Sequence, residues 1–420
     1  MRTTVQRLAV PILMGLAGCA DNAIMSPALS PEATLGTTSV TTPSSGPWAR
    51  VVEGEVGPGA LYAFYIPRAW NGDAVYYSHG ARDVDSPIDL RNSDNFFAVR
   101  DMLGAHGFAV AYSSWSDNGV AIKDGAQRVH QLRGILAAEL RGSPTRSFLM
   151  SHSLGSGVAL DLVQRYPNHY DGALLMCGMV GGTLLQSQYA GDVRALMDAF
   201  YPGRFAGNVL QIPAGTPYIT LPDVIAAVQS NPQPLYVIAS LTQTPLPYIP
   251  SGSVFDPQSL AFQSLVGSLY GPLSYQSRFA NNLFELAHGH PTYDNSATTY
   301  SLGQGALLPP GVLQPAVDYA NAAVKRYAMD PAGRNFMERY FTPTGDLRIP
   351  VLTLHNTWDP GVPAFHEAAF LATVQAAGAT QNLLQRLYPD YGHCNLPPAV
   401  QAQNFLDLVN WVSTGVKPAS

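Results

Sequence analysis

From residue 50 onward the chain is built of short apolar runs separated by Gly, Pro, Asn and Asp, and these runs set its rhythm. Residues 50–56 and 61–66 read as two strands joined through Gly57-Pro58-Gly59, a hairpin at one sheet edge. Strand and helix then alternate. An apolar strand at 74–78 precedes helical spacing over 95–106, which stops at Gly107, and 108–112 is the next strand. A long amphipathic helix over 120–141 ends at Gly142 and Pro144; strand 147–150, helix 154–166 and strand 173–176 follow. After Gly182 the rhythm breaks. It resumes near residue 349, with strands at 350–354 and 383–388 and helices at 363–377 and 399–412. Alternation at this interval predicts an α/β fold, a mostly parallel sheet with helices on both faces. The interruption, residues 183–345, holds many Pro, Tyr, Gln and Leu residues and short helical stretches such as 193–200 and 315–327. It reads as a mainly helical cap over the strand ends, with the core made of 49–182 and 346–420, because long insertions collect where loops already face a substrate.

The length of 420 residues and 46% apolar side chains allow a large core. Net charge is −6, from 29 acidic and 23 basic residues with no long run of either sign, which argues against a nucleic-acid partner. At the N-terminus Arg2 and Arg7 precede an apolar stretch, 8–16, too short to span a bilayer, and residues 1–18 read as a signal peptide. Leu16-Ala17-Gly18-Cys19 resembles the lipobox of bacterial lipoproteins, which makes Cys19 a lipidation candidate and a lipid anchor the expected membrane contact. Residues 19–48, rich in Ser, Thr, Pro and Ala, read as a flexible tether. Beyond Cys19 only Cys177 and Cys394 remain, a natural disulfide pair in an oxidising compartment, and neither has the spacing of a zinc ligand.

The sharpest chemical signal is Ser151-His152-Ser153-Leu154-Gly155, between a predicted strand and a predicted helix. A serine on such a turn needs small residues two before and two after it, so that strand and helix can approach; Ser151 and Gly155 qualify, although Ser151 stands where Gly is commoner. The helix that starts there aims free N–H groups at the Ser153 oxygen. A serine hydroxyl also needs a base, and a group that holds the base in the right tautomer, in the chain order Ser, acid, His. His393, in Tyr391-Gly392-His393-Cys394, follows the last predicted strand, and Asp359, in Trp358-Asp359-Pro360, follows the strand before it. Asp390 and Asp192 are the alternative acids, while His355 and His366 read as structural or pocket-lining. For the oxyanion the expected donors are the amides of Leu154 and of Ala81, with Gly80 next, in His79-Gly80-Ala81-Arg82.

Together, residues 151–155, 357–363 and 392–394 resemble the α/β-hydrolase superfamily over everything from about residue 50 except the insertion. Asp171-Gly172-Ala173-Leu174-Leu175-Met176-Cys177-Gly178, Leu352-Thr353-Leu354-His355-Asn356 and Gly392-His393-Cys394 look more narrowly like secreted bacterial hydrolases of this kind. That resemblance implies a serine esterase activity without a cofactor, and a Cys beside the catalytic His. Tannase-like and feruloyl esterases are a partial parallel, but their Cys pairs with one adjacent to the Ser, where this chain has His152. The expected function is carboxylic ester hydrolysis through an acyl-enzyme, on a small or polymeric ester. The cap tyrosines Tyr201, Tyr218, Tyr248 and Tyr270 are expected to shape an apolar pocket. Two alternatives remain: a serine peptidase using a cap carboxylate such as Glu285, and a non-catalytic surface binding protein.

Overall fold

The computed structural model describes residues 38–246, 253, 256, 258–302 and 310–419. Cys19, the signal segment, the tether before residue 38 and Tyr248 lie outside the described residues.

Nine strands among the described residues form one sheet: β1 Ser39–Thr41, β2 Trp48–Val56, β3 Ala60–Pro67, β4 Asp73–Ser78, β5 Ala109–Ser113, β6 Arg146–His152, β7 Gly172–Met176, β8 Val351–Trp358 and β9 Leu383–Tyr391. The spatial order is β1-β2-β3-β5-β4-β6-β7-β8-β9. Pairs from β1 to β5 are antiparallel and the rest parallel, so the predicted hairpin is the antiparallel edge of a parallel sheet. The tether assignment needs one correction. β1 pairs with β2 inside the segment read as tether, and Trp48 already belongs to β2. The signal for β1 was weak because its three residues, Ser39-Val40-Thr41, are all exposed and show no apolar alternation.

Helices α1 Asp94–Ala105 and α11 Pro398–Thr414 cover one face of the sheet, where Phe96, Leu103, Phe405 and Leu408 pack with Tyr77, Phe148 and Leu352. The other face carries α2 Ile122–Leu140, α3 Leu154–Arg165 and α10 Phe365–Ala376, packed through Val129, Val158 and Phe370 onto Tyr76, Leu149 and Val351. Parallel strands buried on both faces read as continuous apolar runs, which is why they were legible.

The insertion is helical: α4 Thr183–Phe200, α5 Leu221–Val228, α6 Gln233–Thr242, α7 Leu260–Leu286, α8 Pro310–Ala323 and α9 Pro331–Arg339. Helices α4 to α8 close around an apolar cluster of their own, including Leu196, Leu235, Phe262 and Leu269. α7 runs 27 residues with Pro272 inside it, so its Gly271-Pro272 pair reads as a break in sequence but not in structure. The insertion meets the core at loops that follow strands: Tyr189 Oη donates to Pro360 O at 3.0 Å, Val120 N–H donates to Asn282 Oδ1 at 2.8 Å, and Arg278 pairs with Asp83.

Candidate active site

β6 ends at His152, and the chain turns at Ser153 with φ 52° and ψ −123° before entering α3. A non-glycine residue held there carries about 1–3 kcal/mol of strain, which the surroundings must fix in place. They do so closely. Ser153 N–H donates to Met176 O at 2.9 Å, and a Cβ on Gly155 would lie 2.3 Å from the carbonyl oxygens of both Ser78 and His79. Only glycine lets α3 dock onto the end of β4. Ser151, where Gly is commoner, uses its hydroxyl against Ser156 Oγ at 3.1 Å, so the substitution is accommodated by a buried hydroxyl pair.

His393 follows β9. Its Nε2 lies 2.8 Å from Ser153 Oγ and its Nδ1 2.7 Å from Asp359 Oδ2. A carboxylate can only accept, so Nδ1 carries the proton and the Nε2 lone pair is free to accept the Ser153 hydroxyl. Asp359 is fully buried, and its other oxygen accepts the N–H groups of Gly361 and Val362 at 2.8 and 2.9 Å. The structure thus brings Ser153, His393 and Asp359 into one hydrogen-bonded line. The alternative acids lie elsewhere. Asp390 accepts from Tyr391 N–H and Asn395 within its own loop, and Asp192 accepts from Tyr293 and Tyr300 inside the cap, where burial raises its pKa.

Gly80 and Ala81 lie in the loop after β4, and Leu154 is the first residue of α3, where no intrahelical carbonyl can take its N–H. The loop is pinned on both sides. His79 stacks on Trp115 with ring centroids 3.9 Å apart, and buried Arg82 donates to Asp89 O, Arg91 O and Tyr112 Oη. Burial, with the nearby Arg82 cation, pushes the His79 pKa down to about 3, so its imidazole is neutral.

Cys177, at the end of β7, is disulfide-bonded to Cys394, as their number and context suggested. The bridge fastens the residue after His393 to the sheet, with Cys394 Sγ 3.7 Å from His393 Nε2. His152, beside Ser153, takes no part in the disulfide. It lies buried between Tyr77 Oη at 3.1 Å and Gln401 Oε1 at 2.9 Å, and burial lowers its pKa to about 4. The cap tyrosines divide: Tyr201 is buried in the cap core and donates to Asn231 O, whereas Tyr218 donates to Asp85 in the loop after β4.

Sequence reasoning missed the support around Asp359. Cap residue Gln186 donates to Gly361 O at 2.8 Å, Tyr189 to Pro360 O, and Gly271 brings α7 against the same carbonyl. Beneath Asp359, His355 and Glu367 form a buried pair at 3.0 Å. The i,i+4 spacing of His355 and Asp359 was the available signal. Among the described residues, no group of three or more His, Cys, Asp or Glu could hold a metal ion, and no helix is long and apolar enough to cross a membrane.

No protein-family model matches the chain, and no curated protein matches it either. Solved structures do. Feruloyl esterase B from Aspergillus oryzae superposes with a TM-score of 0.50 at 13% identity, over 88% of this chain and 82% of that one. The chain has the α/β-hydrolase fold. An esterase from Aspergillus oryzae is also similar (TM-score 0.49, 13% identity, 88% of this chain and 80% of that one), as is the tannin acyl hydrolase of Aspergillus niger (0.46, 14%, 91% and 83%). In this α/β-hydrolase fold, loops at the C-terminal ends of β4, β6, β8 and β9 carry the site.

Proposed function

We propose that the chain is a serine hydrolase that cleaves carboxylic esters through an acyl-enzyme, with Ser153 as nucleophile, His393 as base and Asp359 as its orienting acid. The reading rests on the continuous contact Ser153 Oγ to His393 Nε2 to Asp359 Oδ2, at 2.8 and 2.7 Å, with the serine held at positive φ on an elbow. His393 takes the hydroxyl proton as Ser153 Oγ attacks the carbonyl carbon; the amides of Leu154 and Ala81, with Gly80 beside them, receive the developing oxyanion. Protonated His393 then gives its proton to the leaving alcohol, and the same residue activates the water that frees the acid.

A peptidase would use the same three residues but needs a carboxylate for the substrate amine. Glu285, the candidate for that part, has an exposed side chain on α7. A fluorophosphonate probe should label the wild-type protein and fail on Ser153→Ala, and short-chain nitrophenyl esters should turn over faster than aminoacyl anilides. An unlabelled wild type favours the binding-protein alternative, and preference for anilides the peptidase. The Cys177–Cys394 bridge, with the N-terminal apolar stretch, supports export, and the Leu16-Ala17-Gly18-Cys19 sequence supports attachment by a lipid on Cys19. Metabolic labelling with a fatty-acid probe, lost in Cys19→Ala, tests it.

A further inference from the structure

We infer that His355, held as an imidazolium by Glu367, is a positioning residue that offsets the field of the buried Asp359 carboxylate and holds it aimed at His393. The inference rests on the serine-hydrolase reading above and extends its relay by two buried residues.

The geometry is specific. His355, on β8, and Asp359 are both fully buried, and Glu367, on α10, is nearly so. His355 Nδ1 lies 3.0 Å from Glu367 Oε1 and Nε2 lies 2.7 Å from Val362 O. Both partners are pure acceptors, so both ring nitrogens must carry a proton for both contacts to be hydrogen bonds. Burial opposes that charge, but the hydrogen bond and charge of Glu367, then the charge of Asp359, outweigh it and leave the pKa raised. His79 faces two carbonyls in the same way, yet burial, and then the Arg82 cation, leave it neutral, so two acceptors alone do not fix the charge; at His355 a carboxylate takes the place of one carbonyl.

The consequence falls on Asp359. His355 Nε2 is 3.6 Å from Asp359 Oδ2, the same oxygen that accepts from His393. A lone carboxylate buried this deeply is costly, and a cation at that distance offsets the cost. Glu367 in turn is held by Thr353 Oγ1 at 2.5 Å and Gln385 Nε2 at 2.6 Å, so the pair cannot swing away. The buried charges before reaction sum to one anion: Glu367 and Asp359 against His355. When His393 becomes an imidazolium they sum to zero, so the protonated state meets a matched environment. The other titratable groups facing this relay are His366 on α10, whose pKa burial lowers to about 3, and Tyr189 on α4 and Tyr391 on β9 beside Asp359. His366 is therefore neutral and donates from Nε2 to Gln186 Oε1 at 3.1 Å.

Glu367→Gln tests this with the fold kept satisfied. Its amide oxygen can accept from Thr353 and Gln385, and its NH2 can donate to a neutral His355 that still gives Nε2–H to Val362 O. With the cation gone, the field of Asp359 on His393 is less opposed and the base holds its proton to higher pH. The acid limb of kcat/KM for a nitrophenyl ester should therefore move up by about half to one pH unit, a three- to tenfold loss on that limb. His355→Gln should move it the same way. A purely structural pair would lower the melting temperature and leave the profile in place, so profiles that superimpose on wild type, or move to lower pH, overturn the inference. Side-chain ¹⁵N NMR of the wild-type protein at pH 7, with the His355 signals identified by their loss in His355→Gln, judges the charge without relying on activity. Two protonated nitrogens support the inference, and one bare nitrogen overturns it. Fluorophosphonate labelling of wild type is run alongside: absent labelling counts against the hydrolase reading, whereas labelling with an unmoved acid limb counts against His355 alone.

Discussion

Gly155→Ala is the most searching single substitution, because it adds one methyl group at the point where α3 meets the loop after β4. An alanine Cβ there would sit 2.3 Å from two backbone carbonyl oxygens, Ser78 O and His79 O, about 1 Å inside normal contact. Neither atom belongs to a flexible side chain. β4 is hydrogen-bonded to β5 and β6 on either side, and His79 is stacked on Trp115, so the helix must retreat. Overpacking of this kind costs about 1–3 kcal/mol, and a retreat of about 1 Å parts Leu154 N–H from the amides of Gly80 and Ala81. Misplacement on that scale lowers kcat by roughly 10²-fold. The assay is kcat and KM on a nitrophenyl ester with active enzyme counted by fluorophosphonate titration, alongside thermal unfolding. Gly134→Ala is the control. That residue is exposed on α2 with nothing within 4 Å of an added Cβ, so the change should stabilise by about 0.5–1 kcal/mol and leave kcat alone. Near-wild-type kcat and melting temperature in Gly155→Ala would refute the claim that the elbow depends on this close approach.

Removing the Cys177–Cys394 bridge as the double Ala variant should lower unfolding free energy by about 5 kcal/mol on loop-closure grounds for a separation of 217 residues. Urea titration with and without reductant checks this, and reductant should not destabilise the variant further. Asp359→Asn should leave the fold intact but favour the wrong His393 tautomer, lowering kcat by about 10³- to 10⁴-fold with KM little changed; a loss under tenfold would remove Asp359 from the relay. His79, His152 and His366 are buried with pKa values lowered to about 3, 4 and 3, each mainly by burial. Unfolding frees them to bind protons below their ordinary 6.5, so their stabilising effect is complete above that pH and is lost as pH falls toward 4. Stability should drop by up to about 4 kcal/mol per pH unit in that window. His355 has the opposite sign, with stability present below pH 6.5 and lost as pH rises through its raised pKa. Urea midpoints measured from pH 4.5 to 8 test both limbs, and a flat profile below 6.5 would contradict the burial of three neutral imidazoles.

How much could be read in the sequence depended on whether a residue's job is local. The strands β4 to β7 are largely apolar because both faces of the sheet are covered, and that shows directly in the chain. Ser153 was legible because steric demands of the elbow fall on residues two away, Ser151 and Gly155. His393 and Asp359 were legible through their places after β9 and β8. By contrast, α7 was hidden by Gly271 and Pro272, residues that a local reading treats as breaks, and Gly271 here brings the helix against Pro360. Glu367 gave no signal because its partners, Thr353, His355 and Gln385, lie on two strands at three different offsets. Arg82 reads as an ordinary charged loop residue, yet its guanidinium is almost fully buried, because three oxygens from distant positions converge on it.

The three central side chains come from positions up to 240 residues apart, and each stands on a loop, the kind of segment least able to hold a geometry by itself. Each loop is restrained by a different device. Ser153 is trapped in its strained turn by the close approach at Gly155, His393 by the disulfide at its neighbour, and Asp359 by two amides on one oxygen and two imidazoles beside the other. The Asp359 loop is also gripped by the insertion, through Tyr189, Gln186 and α7, and Tyr391, two residues before His393, meets Ser268 of α7 at 3.1 Å. A movement of the cap therefore reaches the Asp359 loop through three contacts and the His393 side through one. Loosening Tyr189 by Tyr189→Phe removes the hydrogen bond to Pro360 O while keeping the ring against Phe365. If the cap steadies the relay through this contact, kcat should fall severalfold with KM nearly constant. A rise in KM at unchanged kcat would instead assign Tyr189 to substrate binding and separate the cap from the chemistry.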